Sequence, residues 1–187
     1  MKRIGLLTLL LVLPATVAFG QAGIIQPYAD AGFTTCNAVA PSGLFIVHIV
    51  HENTGGATAS EWAVGDSTGG ALSWVADTPL NGFLTIGDSQ SDLAVAYGVC
   101  EVGRIDIVDI KYFVLFSPAP CSFLQIVPGN IASSGKIEGV DCAPLPNTKT
   151  TFPTGGKLTF DDDGSCPCTA PNPVQETNWG KIKALYN

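Results

Sequence analysis

Short apolar runs separated by clusters of Gly, Pro, Asn, Asp and Ser fill most of the chain, the pattern of many short strands joined by turns. Residues 44–52, LFIVHIVHE, are apolar on both faces and predict a central strand. In residues 104–116, RIDIVDIKYFVLF, one face holds Val108, Ile110, Tyr112, Val114 and Phe116. The other carries Asp109 and Lys111 before turning apolar at Phe113 and Leu115. Further strands are expected at 24–28, 61–64, 72–76, 83–86, 92–99, 122–127, 136–140 and 157–160. No stretch of helical period interrupts this series, which disfavours parallel βαβ topology and predicts an all-β fold, an antiparallel β-sandwich.

The two ends read differently. Lys2 and Arg3 precede an apolar run over residues 4–13 that Pro14 breaks, and Ala18-Phe19-Gly20 offers small residues for cleavage before Gln21. This predicts a signal peptide over residues 1–20, too short an apolar run to span a bilayer, and a secreted, extracellular or periplasmic protein. No later stretch is long and apolar enough for stable membrane insertion. At the other end, TAPNPVQ predicts an extended Pro-rich linker from residue 169. The segment ETNWGKIKALYN then sets Trp179, Ile182 and Leu185 or Tyr186 at helical spacing after a possible N-cap, Thr177. Gly180 weakens so short a helix, which therefore needs a surface to cover its apolar stripe. The three expected parts are thus the signal peptide, a β-sandwich domain over 21–168 and a tail over 169–187.

Cleavage before Gln21 would leave 167 of 187 residues, enough for one domain with its own core, and moves the formal charge from −7 to −9. So acidic a chain has no footprint for nucleic acid. All six cysteines follow the predicted cleavage site: Cys36, Cys100, Cys121, Cys142, Cys166 and Cys168. An even number in an exported chain predicts disulfides. The expected pairs are Cys100 with Cys121, flanking the 104–116 strand, and Cys36 with Cys142. Closing the first loop stabilises by about 3 kcal/mol on the chain-entropy model. A direct bridge between Cys166 and Cys168 across one proline would be strained, so crossed pairings stay open.

The run FIVHIVHENTGGATASEWAV, residues 45–64, resembles the opening of cohesin-type and related immunoglobulin-like extracellular sandwiches. Those pair a long strand with an Asn-x-Gly-Gly turn and an aromatic-bearing second strand. The tail PVQETNWGKIKALYN is similar to a C-terminal segment of uncharacterised secreted proteins of environmental bacteria, Pro-Val-Glu-x-Thr-x-Trp-Gly-x-Ile-Lys-Ala-Leu-Tyr. The sandwich resemblance implies non-catalytic binding or scaffolding with an unknown protein or glycan partner. The tail resemblance names no chemistry; surface or export machinery is one partner it could engage.

Several constellations invite a functional reading. GDSTGG, residues 65–70, is one residue away from the run around the nucleophile of trypsin-like proteases, and GDS recurs at 87–89. A serine nucleophile needs a base and a group that orients it. The chain has two histidines, His48 and His51, in neither the position nor the context that serine proteases or GDS-type esterases require. A serine hydrolase using Ser67 is therefore the remote alternative, and both GDS triplets are expected to be turns. His48 and His51 project to opposite faces of a regular strand and cannot chelate one ion. Asp161, Asp162 and Asp163 before Gly164 could hold Ca²⁺ but lack EF-hand spacing, so a solvated turn is the expected reading, with no cofactor. Trp62, Trp74, Tyr97 and Tyr112 could form a sugar-stacking platform, which makes a carbohydrate-binding module the main alternative to a structural or interaction role.

Overall fold

Two long strands, β3 (Gly43–Asp66) and β6 (Asp92–Val114), pair antiparallel along most of their length and organise everything else. The computed structural model describes residues 23–39, 43–130, 135–142, 148–152, 155–162 and 164–168. Among these the chain is all-β, with no helix. The other strands are β1 (Ile24–Tyr28), β2 (Asn37–Ala38), β4 (Leu72–Pro79), β5 (Leu84–Asp88), β7 (Phe123–Val127), β8 (Ile137–Asp141), β9 (Thr148–Phe152) and β10 (Lys157–Phe160). The expected helix over the tail lies outside the described residues.

The first half of β3 runs between β1 and the second half of β6, whose other edge holds β4. The second half of β3 runs between β8 and the first half of β6, whose other edge holds β5; β9 follows β8. Beyond Trp62, β3 leaves β6 and pairs with β7, which leads to β10 and β2. The ribbon thus feeds two layers, in a sheet that nearly closes on itself around a shared core. Trp62, Tyr112, Phe152, Phe160, Ile107, Leu124 and Leu158 are among the large side chains fully enclosed there. Each aliphatic one of that size stabilises by about 1.5–3 kcal/mol relative to exposure.

The two runs expected at 44–52 and 61–64 are therefore one strand, as are those at 92–99 and 104–116. Bulges let them bend without breaking. The pairing steps from Ile49↔Val108 to Val50↔Asp106, which leaves Ile107 as an extra residue on β6. Ile107 and Val108 are consequently both buried, and the inward set changes from 105 and 107 to 108, 110, 112 and 114. Phe116 was expected on that inward face; β6 ends at Val114, and Phe116 is exposed. One pair departs from the antiparallel expectation. The two-residue β2 lies parallel to β10, with Asn37 opposite Thr159 and Ala38 opposite Phe160. Asn37 also exchanges hydrogen bonds with the backbone of Asp162, which fixes β2 in that place.

All six cysteines are bridged, but not as expected: Cys36 to Cys168, Cys100 to Cys142, and Cys121 to Cys166. The expected pairs Cys100–Cys121 and Cys36–Cys142 fail because Cys100 does not end a strand. β6 continues past it to Val114, roughly 45 Å of extended chain, before the turn that holds Cys121. Cys100 instead sits at the bend of the ribbon, opposite Cys142 at the end of β8. The Cys142 N–H donates to the Gly56 carbonyl at 3.1 Å, and the disulfide lies over Gly56. A Cβ there would come within 3.2 Å of the Cys100 sulfur, and Gly56 has φ +138°, so glycine is required twice over. Cys166 and Cys168, two apart, reach two different loops.

Peptide mapping under non-reducing conditions should recover these three pairs and no Cys100–Cys121 peptide. Replacing Cys100 and Cys142 together by Ser should cost on the order of 2–4 kcal/mol in urea unfolding, the scale for a loop of this length. An undiminished midpoint would show that the bend holds without its clamp.

Candidate functional site

The expected turns begin later than the GDS triplets themselves: Gly65–Asp66 end β3 and Gly87–Asp88 end β5, and each serine leads into the turn that follows. The Ser67 hydroxyl accepts from the Phe123 N–H at 2.7 Å and donates to the Phe123 carbonyl at 3.1 Å, acting as one more rung between β3 and β7. Asp66 accepts from the Thr68 N–H, and Asp88 from the N–H groups of Gln90 and Ser91. Ser89 is buried and bonds Asp77 through both its hydroxyl and its N–H, each at 2.7 Å. The histidines are engaged elsewhere. His48 Nδ1 lies 2.7 Å from an Asp109 carboxylate oxygen, and His51 is buried with Nδ1 3.1 Å from the Tyr97 hydroxyl. Neither is a hydrogen-bond partner of Ser67, so the structure assembles no serine–histidine pair there.

The aromatic platform is corrected. Trp62 and Tyr112 are 0% and 1% exposed and Tyr97 is also buried, so no sugar can stack on them. They were ambiguous in sequence because an aromatic ring on a strand suits either face. Here inward alternation sends them to the core, where their polar ends find partners. The Tyr97 hydroxyl and Trp62 Nε1 both donate to the Ser60 hydroxyl, at 2.8 and 3.2 Å. Trp74 alone keeps an accessible ring, 38% exposed, with Nε1 donating to Asp77 at 3.0 Å. In the acidic cluster, the Asp162 carboxylate accepts from the Gly164 and Cys166 N–H groups, capping the turn that leads into the two disulfides. Asp161 holds the left-handed φ of +46°. Asp163 lies outside the described residues, as do Trp179, Ile182, Leu185 and Tyr186. Among the described residues no three His, Cys, Asp or Glu side chains gather closely enough to hold a metal.

A site that the sequence reading did not single out lies on the outer face of the layer β5–β6–β3–β8–β9. The registers place side chains in two rows across it. One row runs Leu84, Ala96, Ala59, Val140, Lys149; the next runs Ile86, Ala94, Glu61, Glu138, Thr151. Alanines floor the middle, while Leu84 and Ile86 stand 75% and 79% exposed on the edge strand. The result is an apolar groove of about 240 Å³. That is below the roughly 300–1,000 Å³ of small-molecule pockets, so it suits one or two side chains of a larger partner. A signal was available in residues 92–97. Leu93, Val95 and Tyr97 are large and face inward, while Ala94 and Ala96 are small and face out. Sequence alone could not show that Leu84 and Ile86 extend that small-residue face as exposed walls.

Carboxylates rim one end of the groove. Glu138 is buried and ion-paired with Lys149, whose ammonium it holds above its ordinary pKa. Burial raises the Glu61 carboxyl, and the charges of Asp92 and Glu138 raise it further. A carboxyl whose folded pKa lies above its unfolded value binds its proton more tightly when folded. Its contribution to stability therefore falls as pH rises through that window, from the ordinary carboxylate value upward. Glu61→Gln should accordingly stabilise the protein above this window and make no difference below it. Urea midpoints of the two proteins at pH 3 and pH 7 check this; a variant weaker at pH 7 would show that Glu61 is held by a favourable partner.

No protein-family model matches this chain, and no curated protein does. Among solved structures, the chain is similar to the cohesin module from a Clostridium perfringens family 33 glycoside hydrolase. That likeness has a TM-score of 0.50 at 9% sequence identity and covers 75% of this chain and 99% of that one. The fold is thus a cohesin-like β-fold.

Proposed function

We propose that this protein is a secreted, non-catalytic interaction module that works outside the cytoplasm and docks a protein partner on the β5–β6–β3–β8–β9 face. The observation that carries this reading is the groove: two large aliphatic side chains stand in solvent beside an alanine floor, with an acidic rim. Exposed apolar surface of this kind costs solubility unless a partner covers it at least part of the time. The predicted signal peptide and the three disulfides support an extracellular or periplasmic setting. The cohesin-like fold supports a binding or scaffolding role and supplies no chemistry of its own.

The partner segment should be apolar with a cationic flank, because Glu61, on the rim beside the Glu138–Lys149 pair, has no ion-pair partner among the described residues. A random-peptide display library panned on the immobilised protein should therefore enrich apolar pairs flanked by lysine. Enrichment should fall at least ten-fold on Ile86→Asp, and equal enrichment on both proteins would reject the face. The carbohydrate-binding alternative now rests on Trp74 alone. Glycan-array binding that disappears in Trp74→Ala would replace the protein-docking reading with that one. Labelling of Ser67 by a fluorophosphonate probe would overturn the non-catalytic reading altogether.

A further inference from the structure

The apolar floor and acidic rim of the groove complement the apolar, lysine-bearing sequence of the C-terminal tail. Ala59, Ala94 and Ala96 leave a shallow floor that a helix can approach closely, and the exposed Leu84 and Ile86 form one wall. From β5 to β8 the floor crosses three strand spacings, about 14 Å. Residues 177–186, as a helix, would measure about 15 Å. Trp179, Ile182 and Tyr186 would share one side of that helix, a stripe of about 10 Å that fits within the floor. Lys183, one turn after Trp179, flanks that stripe. The rim offers it Glu61, which lines the groove opposite Ala94 and Glu138.

The chain is long enough to bring the two together. Cys168 is tied to Cys36, beside β2, and the sheet path β2–β10–β7–β3 is again three spacings, roughly 14 Å. From Ala63, where β3 meets β7, to Ala59 is roughly another 13 Å along the strand. Residues 169–176, rich in proline and extended, span up to roughly 26–29 Å. That matches the sum of the two legs and exceeds the direct path between their ends.

We propose that residues 177–186 lie across this groove of the same chain as an amphipathic helix, with Trp179, Ile182 and Tyr186 on the alanine floor and Lys183 at Glu61. The inference rests on the docking face proposed above and makes the tail its resident, which an outside partner must displace. The tail is then a tethered competitor. Its high effective concentration holds the face closed to weak partners and releases it to strong ones.

Trypsin digestion of the full-length chain tests this, because Lys181 and Lys183 lie within the proposed helix. Release of the C-terminal fragment should be slow in the wild type. It should be at least ten-fold faster in Ile86→Asp, an exposed edge-strand position, and in Trp179→Ala, which alters no residue of the described β-fold. The wild-type rate should hold over a hundred-fold dilution. Protection that vanishes on dilution would place the tail on a second copy and overturn the proposal. So would equal release from the wild type and both variants. Panning separates the two readings. If the tail is the resident, Trp179→Ala should raise peptide enrichment several-fold over the wild type. Enrichment lost in Ile86→Asp but unchanged in Trp179→Ala would leave the docking face standing and reject the tail as its occupant.

Discussion

Everything in this fold depends on keeping β3 and β6 paired through a bend. Each strand exceeds twenty residues, far beyond the usual five or six, and a straight ribbon of that length could not wrap a core. The bulge at Ile107 and the register shifts between His51 and Ala59 turn the ribbon so that its two halves enter two layers. Bulges leave backbone groups unpaired and weaken a ladder locally. The Cys100–Cys142 bridge and the Gly56–Cys142 hydrogen bond restore the connection at that point. The clamp and the bend are therefore one device, because the covalent link lies where the ladder is weakest.

The remaining two disulfides solve a different problem. β2 has two residues and β10 four, too few ladder bonds to hold an edge by themselves. Cys166 and Cys168 flank Pro167, and one is bridged to Cys121 and the other to Cys36. Asp162 caps the intervening turn through the Gly164 and Cys166 N–H groups. The same staple sets where the tail begins its path.

Strand identity was legible because alternation and turn residues are local signals. The ten runs expected from sequence map onto eight of the observed strands, two of them as merged pairs. Strands β2 and β9 went unread. β9, TKTTF, has little apolar content and is a strand because β8 gives it a ladder; β2 is two residues held by a distant disulfide. Disulfide connectivity was illegible for a related reason, since it depends on where the ribbon bends. The aromatic residues failed as site predictors because burial is a tertiary property. Trp62 and Trp74 each lie on a strand, yet one is enclosed and the other accessible.

The outer face of β5–β6–β3–β8–β9 follows from the same register that builds the core. Leu93, Val95 and Tyr97 must face inward to fill the space around Trp62, so Ala94 and Ala96 face outward whatever their role. Inward packing does not, however, require Leu84 and Ile86 to be large on the opposite side, where Thr or Lys would suit an edge strand better. Nor does it require Glu61 beside Glu138, a like-charge cross-strand pair that works against the sheet. A protein with net charge −7 disperses its molecules by repulsion and can tolerate such an apolar face in solution. The face thus combines an aliphatic wall without a core function, a floor of small residues and a carboxylate, Glu61, set against its like-charged neighbour. All three features become favourable together when an apolar, lysine-bearing segment lies on them.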